Sequence, residues 1–132
     1  MLGCVFSCSG TVKHIEPYTY KGDRRFQATI YRDTMGIPHI FGETDADAVF
    51  GLAYAHAEDD FKTIQDLLMG ARGILASEYG PKLAPVDYYV HLIGVWDDIN
   101  ARYEKEVSGD IKKICEAYAA GINKYARENK SE

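Results

Sequence analysis

No apolar run in the 132-residue sequence approaches the ~20 residues that a membrane-spanning helix needs. Positive charge is in deficit: 15 Lys and Arg stand against 20 Asp and Glu, a net charge of −5. That balance argues against nucleic-acid binding, which wants a basic face. Cysteine is scarce, at three residues, Cys4, Cys8 and Cys115. Cys4 and Cys8 have no second ligand pair at a zinc-like spacing, and no disulfide framework is evident. The H-E-x-x-H pattern of zinc proteases is missing, because only one His, His56, sits in the acidic stretch that follows it. There is no internal repeat and no low-complexity segment.

What is present fits one globular domain, with 46% hydrophobic and 27% charged residues. Ten tyrosines are many for this length. In helices that cover other elements, such rings are buried while their hydroxyls stay at a wet seam.

The organising stretch is 30–61. Residues 27–31 alternate and end in the pair Ile30-Tyr31, which suits a half-buried strand. Asp33-Thr34-Met35-Gly36 reads as a turn, and 37–41 as a second strand. Pro38 offers no ladder donor, which places that strand at an edge. Thr44 caps a helix, with Asp47 in the capping-box position. The period then changes to about 3.6. Phe50, Ala53 or Tyr54, Ala57, Phe61, Ile64 and Leu68 form one continuous stripe, and the helix is expected to end between Gln65 and Met69. Ala53, Ala55 and Ala57 keep it thin enough for another element to approach closely.

Further helices are expected at 74–79, from Val86 or Asp87 to Tyr103, and from Ser108 onward. The third would bury Tyr88, Leu92, Val95 and Ile99, with Trp96 adjoining. The last carries Ile111, Ile114 or Cys115, Tyr118, Ile122 and Tyr125 as its stripe. The fold class is therefore α+β and mostly helical: a short N-terminal β-hairpin followed by about four helices. Residues 1–25 are expected to be a signal-peptide remnant or tether, with a short strand within the stretch of Val12, Ile15, Tyr18 and Tyr20, and 128–132 a frayed end.

Several blocks together resemble the start of the α chain in the penicillin acylase family of N-terminal nucleophile hydrolases. They are R-D-x-x-G-I-P-H-I from Arg32, F-G-L-A-Y-A-H-A-E-D from Phe50, A-R-G-I-L-A-S-E-Y-G from Ala71 and A-Y-A-A-G-I-N-K-Y from Ala117. The family usually carries Arg where Asp60 stands, so any ion pair made by that Arg is absent. The resemblance implies that 26–127 form the N-terminal part of an acylase α chain, a fragment of a four-layer αββα sandwich. It implies hydrolysis of the amide of a small N-acyl compound, of the β-lactam side-chain or acyl-homoserine lactone type. It places the nucleophilic Ser at the start of a second chain, with its own α-amino group as base. The expected partner is thus the remainder of the proprotein, its β chain. A structural calcium is implied for the full enzyme, with ligands mainly outside this chain, and no metal ligand is assigned here. The family is commonly exported, which implies an extracytoplasmic bacterial location; Cys4 or Cys8 is the candidate lipid-attachment residue for a membrane anchor.

No catalytic residue is expected within the chain. Arg32, Asp33, His39, His56, Asp59 and Asp60 are expected to form a structural polar cluster. His56 and Asp60 are four apart and share a helical face, with Asp59 near both. The sharper reading of these three is a metal or acid/base site. Asp33 is expected to cap turn amides, Arg32 to reach Asp59 or Asp60, and His39 to be buried with its ring bonded to backbone. A nucleophile set of Cys115, His91 and Asp87 has no support in spacing. A different class of reading is a stand-alone helical lipoprotein that binds without catalysis. Exposed stripes and strand edges also predict self-association of the isolated chain.

Overall fold

The computed structural model describes residues 18–19 and 25–130. Three antiparallel strands come first, in the order β1-β2-β3: β1 (Tyr18–Thr19), β2 (Ala28–Arg32) and β3 (Pro38–Gly42). Five helices follow: α1 (Asp45–Arg72), α2 (Ala76–Tyr79), α3 (Ala84–Leu92), α4 (Val95–Glu106) and α5 (Gly109–Glu128), with a 3-10 turn at Pro81–Leu83. The expected hairpin is there, as are the helix capped by Thr44 and the one capped by Ser108. The hairpin gains a two-residue strand, with Tyr18 opposite Ile30 and Thr19 opposite Thr29.

β2 and β3 pair from Ala28 opposite Gly42 to Arg32 opposite Pro38. The alternation sends Ala28 and Ile30 inward, and both are buried. Tyr31 and Phe41 point to the other face, where their rings meet edge to face at 5.8 Å and stay exposed. Gly36 closes the turn at φ 82°, a backbone that an L side chain rarely adopts.

Thr44 and Asp47 make the predicted capping box. Asp47 N–H donates to Thr44 Oγ1 (3.2 Å), and Thr44 N–H donates to Asp47 Oδ2 (3.1 Å). The second Asp47 oxygen accepts from Gln27 N–H at 2.7 Å, which ties the chain entering β2 to the start of α1. Burial alone would raise the Asp47 carboxyl, but the bonds from Thr44 and Gln27 hold it below its ordinary range.

The core lies between the sheet, the first half of α1 and the second half of α5. One cluster joins Ile30, Ala53, Tyr54, Ala55, Ala57, Ile122 and Tyr125; the other joins Phe26, Ala28, Phe50 and Ala117. The alanines allow the close approach that their size predicts, with Gly121 of α5 set against Phe50 and Ala53.

Three expectations fail. The stripe of α1 is not continuous: the helix is interrupted at Asp60 (φ −159°, ψ 75°), and no residue beyond it in α1 is buried. Leu68 is exposed. The helix expected to run to Tyr103 is two helices, α3 and α4, broken at Ile93-Gly94, where Gly94 takes φ 66°. Its supposed buried face is open: Tyr88 is 67% and Leu92 65% exposed, and Val95, Trp96 and Ile99 are exposed too. The residue that α3 does bury is Asp87. Finally, Glu128, expected to begin a frayed end, closes α5 and accepts a hydrogen bond from Tyr54 Oη at 3.0 Å.

Candidate functional site

The β2–β3 turn delivers Arg32 to the side of α1. Its guanidinium is 14% exposed and donates to Gly36 O (2.8 Å), Ala55 O (3.3 Å) and Glu58 Oε2 (3.1 Å), and it pairs with Asp59 Oδ1 at 2.8 Å. The planar fork lets one side chain serve a turn carbonyl, a helix carbonyl and two carboxylates at once. Burial would lower the Arg32 pKa, but its bonds to Glu58 and Asp59 outweigh that and raise it. Arg32 therefore reaches Asp59, one of its two expected partners, and Glu58, which sequence reasoning missed.

Asp33 gathers the turn. Its Oδ1 accepts from Met35 N–H (2.8 Å) and Ile37 N–H (3.0 Å), and its Oδ2 lies 3.2 Å from His39 Nε2. The bond from Ile37, then that from His39, hold the Asp33 carboxyl below the ordinary range. His39 is not the buried His expected. Its side chain is 54% exposed and it faces a carboxylate rather than backbone. His39 lies on the outward face of the sheet with Phe41 and, on the central strand, Tyr31, and among the described residues no layer covers that face, which explains the exposure.

The trio His56, Asp59 and Asp60 does not converge. Asp59 faces Arg32. Asp60 leaves the helical path and caps the helix that resumes after it, accepting from Thr63 N–H (3.0 Å) and Thr63 Oγ1 (2.6 Å). Those bonds, the side chain first, depress its carboxyl. His56 turns toward α5, where Nδ1 lies 3.5 Å from Tyr118 Oη. A helical face shared by His56 and Asp60 requires an unbroken helix, and the break removes it. Among the described residues no group of three His, Cys, Asp or Glu side chains is placed to hold a metal.

The set Cys115, His91 and Asp87 is likewise dispersed in purpose. Asp87 accepts from Leu75 N–H (2.9 Å) and Ala76 N–H (2.7 Å), capping the start of α2 from eleven or twelve residues away. His91 Nε2 lies 3.1 Å from Gly73 O. Cys115 is an exposed free thiol on α5. Cys4 and Cys8 lie outside the described residues.

A second polar group escaped the sequence reading. Lys124, 1% exposed, bonds to Glu128 Oε1 and lies 4.9 Å from the centre of the Tyr54 ring, whose hydroxyl donates to Glu128 Oε2. The i,i+4 spacing of Lys124 and Glu128 was the available signal, but nothing local marks a lysine for burial. On the flank of α1, Asp66 accepts from Lys62 Nζ (2.6 Å) and Tyr79 Oη (2.6 Å).

These polar groups bind turns, helix ends or one another, and none pairs a nucleophile with a base. A groove of about 440 Å³ beside the break in α1 is walled by Glu58, Asp59, Asp60, Lys62 and Tyr125 and contains no Ser, Thr or Cys. The other prominent surface is apolar: Tyr31 and Phe41 on the sheet, and Tyr88, Tyr89, Leu92 and Ile93 on the helical side.

A model of the penicillin amidase family matches residues 27–132. The chain is similar to the acyl-homoserine lactone acylase QuiP of Pseudomonas fluorescens, 32% identical over 97 residues, which are 74% of this chain and 12% of the relative. It is similar to the penicillin acylase 2 proenzyme of a Pseudomonas species, 30% identical over 96 residues, 73% of this chain and 12% of that protein. Among solved structures, a thermostable penicillin G acylase from Alcaligenes faecalis superposes with a TM-score of 0.71 at 25% identity, over 80% of this chain and 55% of that one. The chain thus spans about an eighth of the length of these curated relatives.

Proposed function

The chain belongs to the penicillin amidase family, and from that premise we propose that it is the N-terminal, α-chain part of an extracytoplasmic acylase. The whole enzyme hydrolyses the amide of a small N-acyl compound, of the acyl-homoserine lactone or β-lactam side-chain type. The nucleophilic Ser belongs to a second chain, where its free α-amino group, with a pKa of about 7.7–8.0, takes the hydroxyl proton. The Ser oxygen attacks the amide carbon, the amine leaves with a proton, and water then releases the acid. Donors preorganised on the oxyanion stabilise each tetrahedral stage.

The observation that carries this reading is the contrast between a family match over 27–132 and polar clusters that, among the described residues, pair no nucleophile with a base. Residues 27–132 fit the family, yet Arg32, Asp33, Asp60 and Asp87 serve turns, caps and ion pairs. Large apolar side chains instead stand open on both the sheet and the helical side. Such surface on one chain supports contact with other polypeptide. One relative is named a proenzyme, which agrees with a chain released from a longer precursor. In this reading the chain frames the catalytic body and Arg32 holds that frame together.

The test is an assay of the purified chain on chromogenic N-acyl amides, beside a chimera in which residues 27–132 replace the matching segment of an acyl-homoserine lactone acylase. The chain alone is expected to be inert and the chimera to process and turn over. Turnover by the chain alone, surviving purification, would overturn the proposal.

A further inference from the structure

We propose that residues 65–106 form an arm that swings against the rest of the molecule, pivoting at Asp60 and at the joint Val107-Ser108. The two joints are the places where helix stops being helix on the way out and on the way back. At Asp60 the backbone is extended (φ −159°, ψ 75°), and the Asp60 side chain caps Thr63, so the two parts of α1 are each terminated rather than fused. A helix interrupted and capped in its middle bends there at little cost. On the return, Val107 (ψ 126°) and Ser108 (ψ 153°) are both extended, and Ser108 starts α5 afresh as its cap.

The apolar interior stays outside residues 65–106. Every buried residue of α1 lies between Phe50 and Ala57, and those of α5 begin at Ala117. Phe61 and Ile64, in the first turn past the break, lean on the core and act as the bearing, with the Phe61 and Tyr125 rings 5.2 Å apart. From residue 65 to 106 no residue belongs to either apolar cluster. The arm is instead braced within itself by polar bonds to backbone. Asp87 holds Leu75 and Ala76, His91 meets Gly73 O, and Trp96 Nε1 donates to Ala71 O at 2.7 Å. Arg72 covers the Trp96 ring at 5.1 Å. The arm therefore keeps its shape as it turns. Lys112, its side chain 21% exposed, ties the arm to the body: its Nζ donates to Glu104 O (2.9 Å), pairs with Glu104 Oε2 (2.8 Å) and lies 5.4 Å from the centre of the Tyr103 ring. Glu104 is 82% exposed, so solvent discounts the ion pair within that tie. Segments with few buried apolar contacts occupy the low-stability end of a fold, where hinged motion is found.

The motion is measured by pulsed spin-label distances in the full chain with Cys4, Cys8 and Cys115 changed to Ser. One label pair spans the body, at Glu43 and Glu116; one lies within the arm, at Glu78 and Tyr89; one crosses the joints, at Glu116 and Tyr89. The crossing pair is expected to give a distribution at least twice as wide as either internal pair, and D60L, which favours an unbroken α1, is expected to shift its mean and narrow it. A crossing distribution no wider than the internal ones would overturn the proposal. So would a crossing mean and width left unchanged by D60L in a variant whose body pair is normal.

Discussion

A Cβ placed on Gly121 would lie 2.4 Å from the carbonyl oxygen of Phe50 and 2.7 Å from Ala53 Cβ. α5 and α1 touch there through backbone, and the two-cluster core depends on that contact. In an exposed helix Gly→Ala would stabilise by about 1 kcal/mol. Here overpacking costs about 1–3 kcal/mol and must also overcome that gain. Gly121→Ala is therefore expected to lose up to about 2 kcal/mol of stability overall, read from the midpoint of urea unfolding. A rise in the midpoint would mean that the helices do not meet at this residue.

Arg32 is the buckle between the turn and α1. Its partners Glu58 and Asp59 are 37% and 55% exposed, so solvent discounts the ion pairs. Arg32→Ala is expected to cost about 1–2 kcal/mol, most of it from the bonds to Gly36 O and Ala55 O. Arg32→Lys should restore less than half, because an ammonium cannot hold turn, helix and carboxylates in one plane. Full rescue by Lys in thermal unfolding would show that charge alone matters.

Lys124 is buried but its partner Glu128 is 41% exposed on its side chain. Breaking a wholly buried pair costs about 3–5 kcal/mol, and the exposure of Glu128 brings the expected loss for Lys124→Ala to about 2 kcal/mol. Lys124→Met keeps the packed stem and should lose less. Equal losses for Ala and Met would show that the ammonium, not its stem, supplies the stability.

Acid should unfold the chain through identifiable carboxyls. Asp33, Asp47, Asp60 and Asp66 are all held below the ordinary carboxylate range in the folded chain. A depressed folded pKa means the stability is fully present above the unfolded value near 3.8 and is lost as pH falls through the folded value. Melting temperature should therefore hold level on this account down to about pH 5 and drop below about pH 4. Asp60→Asn combined with Asp47→Asn should flatten that drop; an unchanged acid limb would assign it to other groups.

The isolated chain should associate with itself, because β3 is the sheet's edge among the described residues and Phe41, Tyr88, Tyr89 and Leu92 stand open. Sedimentation velocity across a tenfold concentration range should show the average mass rising. A single monomeric species throughout would contradict this.

Local chemistry carried most of the fold into view. The capping box at Thr44 and Asp47, the glycine turn at Gly36 and the alanine run at 53–57 each act over a few residues, and each sits where its pattern places it. The family blocks were legible for the same reason. What stayed hidden depends on distant partners. Asp60 reads as another face residue of a helix until its carboxylate is seen capping Thr63. Gly94 reads as an interior glycine of one helix, yet its positive φ ends it. Tyr88 and Leu92 have helical spacing, and spacing predicts burial only where something lies opposite. Asp87 caps Leu75 and Ala76 from across a loop, and no local pattern announces that. His39 follows apolar neighbours, but among the described residues nothing covers the outward face of the sheet, at Tyr31 of the central strand as at His39.

The account rests most heavily on a second body of polypeptide that carries the reacting Ser, and the direct measurement is the composition of the native particle. The protein is captured from its source cells with an antibody to residues 109–128, and its intact mass and N-termini are determined. The account predicts this sequence within a larger precursor, or in stoichiometric complex with a chain several times longer whose first residue is Ser. Recovery of the 14.8 kDa polypeptide alone, soluble and without a companion chain, would contradict it.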